Sequence, residues 1–252
     1  MQISGNTVLI TGGGSGIGLA LAKGLVDSGN KVIITGRNQR KLDEANRQVP
    51  GLQTVQSDVT SNSDRENLVQ LITQQYPDFN VLVNNAGTMT VMDFGTEQIR
   101  PTDVQRELST NFIGPVDLTS KFLPHLLDKP NAVIVNVTSA LAYVPYTKAP
   151  IYNATKAALH SFTQSLRHQL KGTSVEVFEV MPPLVDTEMV EEVNLNKISP
   201  DQLAADVLNG MRSGRYEIRT GQAKSLYLMS RVAPGFIFSK LNQEPKQAVK
   251  VA

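Results

Sequence analysis

The chain has 252 residues, 40% of them hydrophobic, enough to bury a sizeable core in one α/β domain. Its 24 Lys and Arg against 23 Asp and Glu leave a formal net charge of +1 with no long run of like charge, so nucleic acid is not an expected partner. No Cys is present, which excludes disulfides and thiolate metal ligands, and neither a basic-then-apolar leader nor an apolar run of roughly 20 residues is found, so the expected address is the cytoplasm with no transmembrane segment.

Residues 6–11 read as a short apolar strand, followed by Gly12, Gly13, Gly14, Ser15, Gly16, Ile17 and Gly18, and then by a helix opening at Leu19. Strand, glycine turn and helix form the context in which a phosphate sits on a helix N-terminus, held by bare N–H groups and the positive end of the macrodipole. Gly12, Gly16 and Gly18 give Gly-x-x-x-Gly-x-Gly rather than G-x-G-x-x-G, and no Gly-Lys-Ser/Thr of a P-loop follows. An ordinary strand–helix turn and a site for a nucleoside methyl donor compete as readings of this loop alone.

Residues 31–35 form a second strand, and Gly36 and Arg37 follow it. About 20 positions beyond the glycines an acid would hold the ribose hydroxyls of NAD, whereas an Arg accommodates the extra phosphate of NADP. Gly36 offers no carboxylate and Arg37 offers a fork, so NADP(H) is expected over NAD(H). Arg40 and Lys41 either add positive charge there or lie on the solvated face of the helix through Leu42, Ala45 and Val49. Ser15 tempers the preference, since a basic residue in the glycine loop would have strengthened it.

A third strand, 52–57, ends at Asp58 and Val59, where the acid either contacts an adenine amino group or caps the turn before a helix over 61–75. A fourth, 80–83, runs into Asn84, Asn85, Ala86 and Gly87, whose amides can bridge neighbouring strand ends while Gly87 leaves room for a cofactor. Strands separated by helical segments predict a parallel, doubly wound sheet with right-handed crossovers.

Residues 132–138 form a further buried strand with Ser139 at its carboxyl end, where open α/β sheets bind ligands. Thirteen residues on, Tyr152 and Lys156 lie four apart in an apolar pattern of helical period, so both side chains share one helix face. A free phenol has a pKa of about 10, and a neighbouring ammonium favours its ionised form, which makes Tyr152 a candidate for proton transfer. Singly, a Tyr is packing, a Lys solvated and a Ser a cap; together, and with the glycine turn, they point to chemistry.

Thr11 to Gly18, Asp58–Val59, Asn84 to Gly87, Ser139 and Tyr152-x-x-x-Lys156, in this order and at these intervals over residues 5–190, resemble the short-chain dehydrogenase/reductase family. The tail is similar in style to bacterial oxidoreductases found beside D-alanylation genes for cell-wall teichoic acid. The family resemblance implies Tyr152 as general acid in reduction and base in oxidation, Lys156 lowering its pKa and holding the nicotinamide ribose, and Ser139 steadying the substrate carbonyl. It further implies that Asn111 anchors a water relaying protons through Lys156; without the family, Asn111 is a buried helix residue in need of hydrogen-bond partners. The cofactor set it implies comprises the glycine turn, Arg37, Asp58, Val59, Asn85, Ala86, Gly87, Tyr152, Lys156, Pro182, Val185 and Thr187. Where the family carries Pro-Gly, this chain has Pro182 and Pro183, which removes a backbone donor. Hydride itself would come from the cofactor.

Past a strand over 174–180, residues 188–213 have the character of a substrate lid that ends in a helix started by Ser199 and Pro200, and 215–219 would close the sheet. The segment 222–241 is more apolar than a tail needs to be, and it packs on the pocket, on a subunit or on a membrane surface. Tyr143 and Tyr146 read as pocket lining, and His125, His160 and His168 show no metal-ligand spacing. The expected molecule is a single Rossmann-type three-layer αβα domain over 1–252 with a mostly parallel seven-stranded sheet, acting on a small-molecule carbonyl or alcohol. The resemblance implies a homodimer or homotetramer formed through the helices containing Asn111 and Tyr152. A nucleotide-binding regulatory or scaffold protein without turnover is the alternative on the same fold.

Overall fold

The computed structural model describes residues 2–190 and 196–243. Seven strands, β1 (Thr7–Thr11), β2 (Lys31–Gly36), β3 (Gln53–Gln56), β4 (Phe79–Asn84), β5 (Ala132–Val137), β6 (Val175–Met181) and β7 (Glu217–Arg219), form one sheet in the order β3-β2-β1-β4-β5-β6-β7. Every pairing among them is parallel. A parallel sheet is covered on both faces, so its strands must be apolar throughout, and β1 and β5 are buried at every position.

The helices are α1 (Gly16–Asp27), α2 (Gln39–Gln48), α3 (Asn62–Gln75), α4 (Pro101–Leu108), α5 (Gly114–Leu127), α6 (Pro150–Gln169), α7 (Pro200–Arg212), α8 (Ala223–Val232) and α9 (Pro234–Leu241). Alternate strand residues divide between two cores. Val8, Ile10, Val32 and Ile34 pack with Leu21 and Leu25 of α1 and with Leu203 and Val207 of α7. Leu9, Ile33, Leu82 and Ile134 pack with Leu68 and Ile72 of α3, Leu118 and Phe122 of α5 and Leu166 of α6. The strand order reverses between β1 and β4, which opens the ligand crevice at their carboxyl ends.

The 188–213 stretch read as a lid divides in the structure. Its second part is α7, started by a Ser199 side chain that accepts from the Gln202 N–H, and Leu203, Ala204, Val207, Leu208 and Met211 are buried. Its first part holds a short turn, Glu188–Val190, and a bridge between Val185 and Ile198; the expectation for 191–195 lies outside the described residues.

Chain packing at the crevice demands glycine. Gly12 has φ of +66°, and a Cβ on it would lie 2.8 Å from the Ala86 Cα; a Cβ on Gly18 would lie 2.3 Å from the Gly12 carbonyl oxygen. Gly18→Ala must therefore push the turn off α1. The expected outcome is a loss of about 1–3 kcal/mol in chemical denaturation, and an unchanged midpoint would refute this close approach.

Candidate active site

The glycine turn leads into α1 with Ser15 at the N-cap position, yet the Ser15 side chain makes no capping bond and the first turn holds no acid. The first N–H groups of a helix have no partner within it. At α2, α3 and α7 such groups are met by Asn38, Ser61 and Ser199, whereas α1 presents its own toward the crevice. This cradle fits the phosphates of a dinucleotide. Thr187 closes over it, since a Cβ on Gly16 would lie 3.0 Å from the Thr187 Cγ2. Gly14 is looser: a Cβ there meets Lys41 at an ordinary 3.4 Å.

Ser139 stands just beyond β5, fixed on both sides by backbone bonds to the next strand: Thr138 N donates to Val180 O at 2.9 Å and Ala140 N to Pro182 O at 3.0 Å. Its Oγ accepts from Leu141 N at 3.1 Å, which leaves its hydroxyl proton to donate to the Tyr152 oxygen or to a ligand. One turn of α6 separates Tyr152 from Lys156, and the Lys156 Nζ lies 5.6 Å from the Tyr152 ring centroid. Lys156 is buried and donates one of its protons to the Val137 carbonyl at 2.8 Å, so two remain for a ligand.

The expectation that the ammonium lowers the phenol pKa is reversed in this state. Burial pushes Tyr152 up to about 12, against a hydrogen bond with Ser139 that acts the other way, and burial pushes Lys156 down to about 8. Desolvation disfavours both charges, and for Tyr152 the Glu107 carboxylate adds to it.

Asn111 lies in a π-helical turn, Ser109–Ile113, joining α4 to α5. Its Nδ2 donates to Thr88 O at 2.8 Å and to Thr155 Oγ1 at 3.1 Å, and its Oδ1 accepts from Thr88 N at 2.8 Å. The side chain thus pins the loop after β4 to α6. A Cβ on Gly87 would lie 3.6 Å from the Asn111 Oδ1 and 3.7 Å from the Lys156 Nζ, so Gly87, Asn111 and Lys156 share one corner of the crevice.

Other predicted residues divide between ligand-facing and structural positions. Arg37 is exposed beyond β2, its carbonyl accepting from Gln56 Nε2 at 3.0 Å. Asp58 turns one carboxyl oxygen back on Thr60, accepting from N at 2.9 Å and Oγ1 at 2.8 Å, as a turn cap does. Val59 is buried, and its carbonyl accepts from Arg65. The Asn85 amide donates to Thr11 O and Gly12 O at 3.0 and 3.1 Å, while Thr11 Oγ1 accepts from the N–H groups of Asn85 and Ala86; Asn85 thereby holds the turn, not a ligand, with its amide. Ile17 and Val185 pack in the core facing α1, and Pro182 offers its carbonyl to Ala140.

Local patterns do not single out Thr88 and Thr155, which with Thr11 supply the partners just described. Glu107 is buried one turn before Asn111, accepts from Thr90 N at 2.6 Å, has its carboxyl pKa raised by burial, and opposes ionisation of Tyr152. Glu179, fully buried, accepts from Thr138 Oγ1 at 2.7 Å and pairs with His160 at 2.9 Å. That acid was legible in principle, being in phase with the apolar Val175 and Val177 of β6. Tyr143 packs edge-on against His160 and donates to the Met181 sulfur, and Tyr146 borders an apolar groove of about 430 Å³ with Leu141, Ala142, Ala154 and Phe238. Among the described residues no group of three or more His, Asp or Glu could hold a metal.

The sheet, its switch point and the open glycine turn define a Rossmann-type nucleotide-binding protein. Residues 6–198 match the short chain dehydrogenase family model, and the chain belongs to that oxidoreductase family. It is 44% identical over 252 residues to the uncharacterized oxidoreductase DltE of Bacillus subtilis, covering 97% of this chain and 99% of that one. A short chain dehydrogenase from Burkholderia cenocepacia, solved in complex with NADP, superposes with a TM-score of 0.85 at 26% identity, covering 97% of this chain and all of that one. The 3-ketoacyl-(acyl-carrier-protein) reductase of Brucella melitensis, solved with NADH, gives 0.78 at 25% identity over 85% of this chain and 93% of its own.

A buried Lys with a depressed pKa makes the folded state less stable while it is charged. Between pH about 8 and its ordinary value of 10.5 the unfolded chain carries more protons at this site than the folded one, so stability rises with pH. Above pH 10 the raised Tyr152 acts in the opposite sense, because there the folded chain holds the proton. Thermal melts of the ligand-free protein from pH 8 to 10 are expected to show this rise, on the order of 2–3 kcal/mol. Lys156→Met should flatten it, and parallel curves for the two proteins would exclude the shift.

Proposed function

We propose that the chain is an NADP(H)-preferring oxidoreductase that interconverts a carbonyl and an alcohol, with Tyr152 as general acid and base. The observation that carries this reading is that Tyr152 lies beside both Ser139 and Lys156, with Gly87 next to Lys156, in a crevice that also holds the uncapped N-terminus of α1. When bound, the nicotinamide cofactor supplies or accepts hydride. Ser139 turns its hydroxyl proton from Tyr152 to the substrate oxygen, and Tyr152, kept protonated by burial, gives its proton to that oxygen in reduction. The two unused protons of Lys156 hold ribose hydroxyls, and its charge favours the phenolate that forms as Tyr152 lets go.

Asn111 acts by position, fixing the loop after β4 against α6. Arg37, exposed and beside the N-terminus of α2, receives the extra phosphate of NADP. Thr187 lies against Gly16 of the glycine turn and Val185 is buried, so any contact of theirs with the cofactor is made from there, and Pro183 removes a donor that the family has. The lid is assigned to the stretch 188–213; at its start Glu188 pairs with Lys41 at 2.5 Å, and Ile198 bridges to Val185. The protein works from the cytoplasm as a homodimer or homotetramer, joined through α4, α5 and α6, where Leu108 and Ile113 are exposed.

Tyr152→Phe is expected to lower turnover in a carbonyl screen by about 10²–10⁴-fold while the cofactor affinity measured by nucleotide fluorescence stays nearly unchanged; wild-type turnover in this variant would sink the mechanism. Titration of the native protein should show NADPH bound about tenfold more tightly than NADH, near 1.4 kcal/mol. Arg37→Gln should erase that difference by weakening NADPH alone, and tighter NADH in the native protein would reverse the cofactor assignment.

A further inference from the structure

On α8 and α9, apolar side chains stand exposed among the described residues. Leu228, Val232 and Phe236 are 60%, 73% and 61% exposed. The helices themselves are firmly attached. Ala223 and Ile237 are buried, Tyr227 packs edge-on against Tyr143 and lies under the Arg219 guanidinium at 3.8 Å, and α8 and α9 pack on one another. Beyond α9, Asn242 accepts from Thr147 N at 2.7 Å and donates to Pro145 O at 3.0 Å. The exposed face is therefore presented by a fixed element.

Its charge is one-sided. Between residues 218 and 243 the chain has no Asp or Glu, while Lys224, Arg231 and Lys240 are all exposed. Lys224, Leu228 and Val232 recur at four-residue spacing along α8, so cation and apolar groups share a stripe. On α9, Phe236 and Lys240 repeat the spacing, with the Lys240 Nζ 6.0 Å from the Phe236 ring. Aromatic and aliphatic groups beside cations, without acids, match the interface of an anionic bilayer: rings reach the acyl boundary and cations meet the headgroups.

We propose that α8 and α9 dock this protein on an anionic lipid surface. A second copy of the chain is the other occupant such a patch invites, and the charge argues against it. A two-fold contact presents the same patch on both sides, so it would set Lys224, Arg231 and Lys240 against themselves with no carboxylate between them. Phospholipid headgroups supply that missing negative charge.

Sedimentation with vesicles tests the assignment. The native chain should pellet at low salt with phosphatidylcholine vesicles carrying about one-third phosphatidylglycerol and stay in the supernatant with phosphatidylcholine alone, and raising ionic strength well beyond ~0.1 M should release it. A Leu228→Glu/Phe236→Glu variant should lose at least about tenfold in bound fraction while keeping the native melting midpoint and dinucleotide binding. Should that variant fold poorly, Lys224→Gln/Arg231→Gln/Lys240→Gln, which leaves the apolar contacts in place, is expected to show the same loss. Failure of the native chain to bind anionic vesicles, or undiminished binding by the folded variants, overturns the proposal. So does a fall in the native oligomeric mass on light scattering when Leu228 and Phe236 are replaced, which would give this face to a second copy.

Discussion

The site depends on how the carboxyl ends of β1, β4 and β5 are tied together. These ends lie at the reversal of strand order, where backbone groups would otherwise be left bare, and short polar side chains satisfy them. Thr11 accepts from two successive N–H groups after β4, and Asn85 returns the bonds to the backbone of Thr11 and Gly12. Asn84 and Asn136, paired in register across β4 and β5, bond to each other at 2.9 Å and onward to Thr119 and Thr163. Buried polar networks of this kind fix one arrangement, because each misplaced member would leave a desolvated group unpaired. The glycine turn can then approach Ala86 closely only because this stitching holds both strands.

On that frame the catalytic corner is set by burial. Burial shifts both Tyr152 and Lys156 toward their neutral forms, which holds a proton on the phenol and weakens the hold on the ammonium proton. A charged pair would need further compensation. The Val137 carbonyl and Ser139 provide part of it, and the two spare protons of Lys156 can supply the rest to a bound ligand. Glu107, buried nearby, adds a further bias against the phenolate. Such a corner is stable as an acid and becomes a base only when its surroundings change.

The far edge of the sheet carries a second polar group of different character. Glu179 and Thr138, both buried, join His160 and the half-buried Tyr143 near Ser139, while Arg219 sits between Tyr143 and Tyr227 and is paired with Glu217. Through Tyr227 this edge anchors α8, so the element that bears the exposed apolar face is continuous with the packing around the catalytic strand end. Charge is unevenly spread as a result, a formal +1 over the chain but one-signed on α8 and α9.

The sequence by itself determined the class of fold, because the alternation of apolar strands with helices of period 3.6 and the ordered glycine, Asn, Ser and Tyr–Lys motifs are local patterns that survive without coordinates. It also determined that Gly12 and Gly18 carry no side chain and that Tyr152 and Lys156 share a helix face, since both follow from chain geometry over a few residues. Only the tertiary structure decided the sign of the pKa shifts, which depends on how much water the assembled layers exclude from Tyr152 and Lys156. Likewise, it decided that Asn111 and Asn85 spend their amides on backbone partners far along the chain, that Glu179 meets His160, and that α7 joins the core instead of the lid. These facts rest on contacts between segments remote in sequence, which no local periodicity encodes. The exposed face of α8 and α9 belongs with them: its apolar content was visible in the residues, but which side chains remain uncovered was settled by what the rest of the chain packs against.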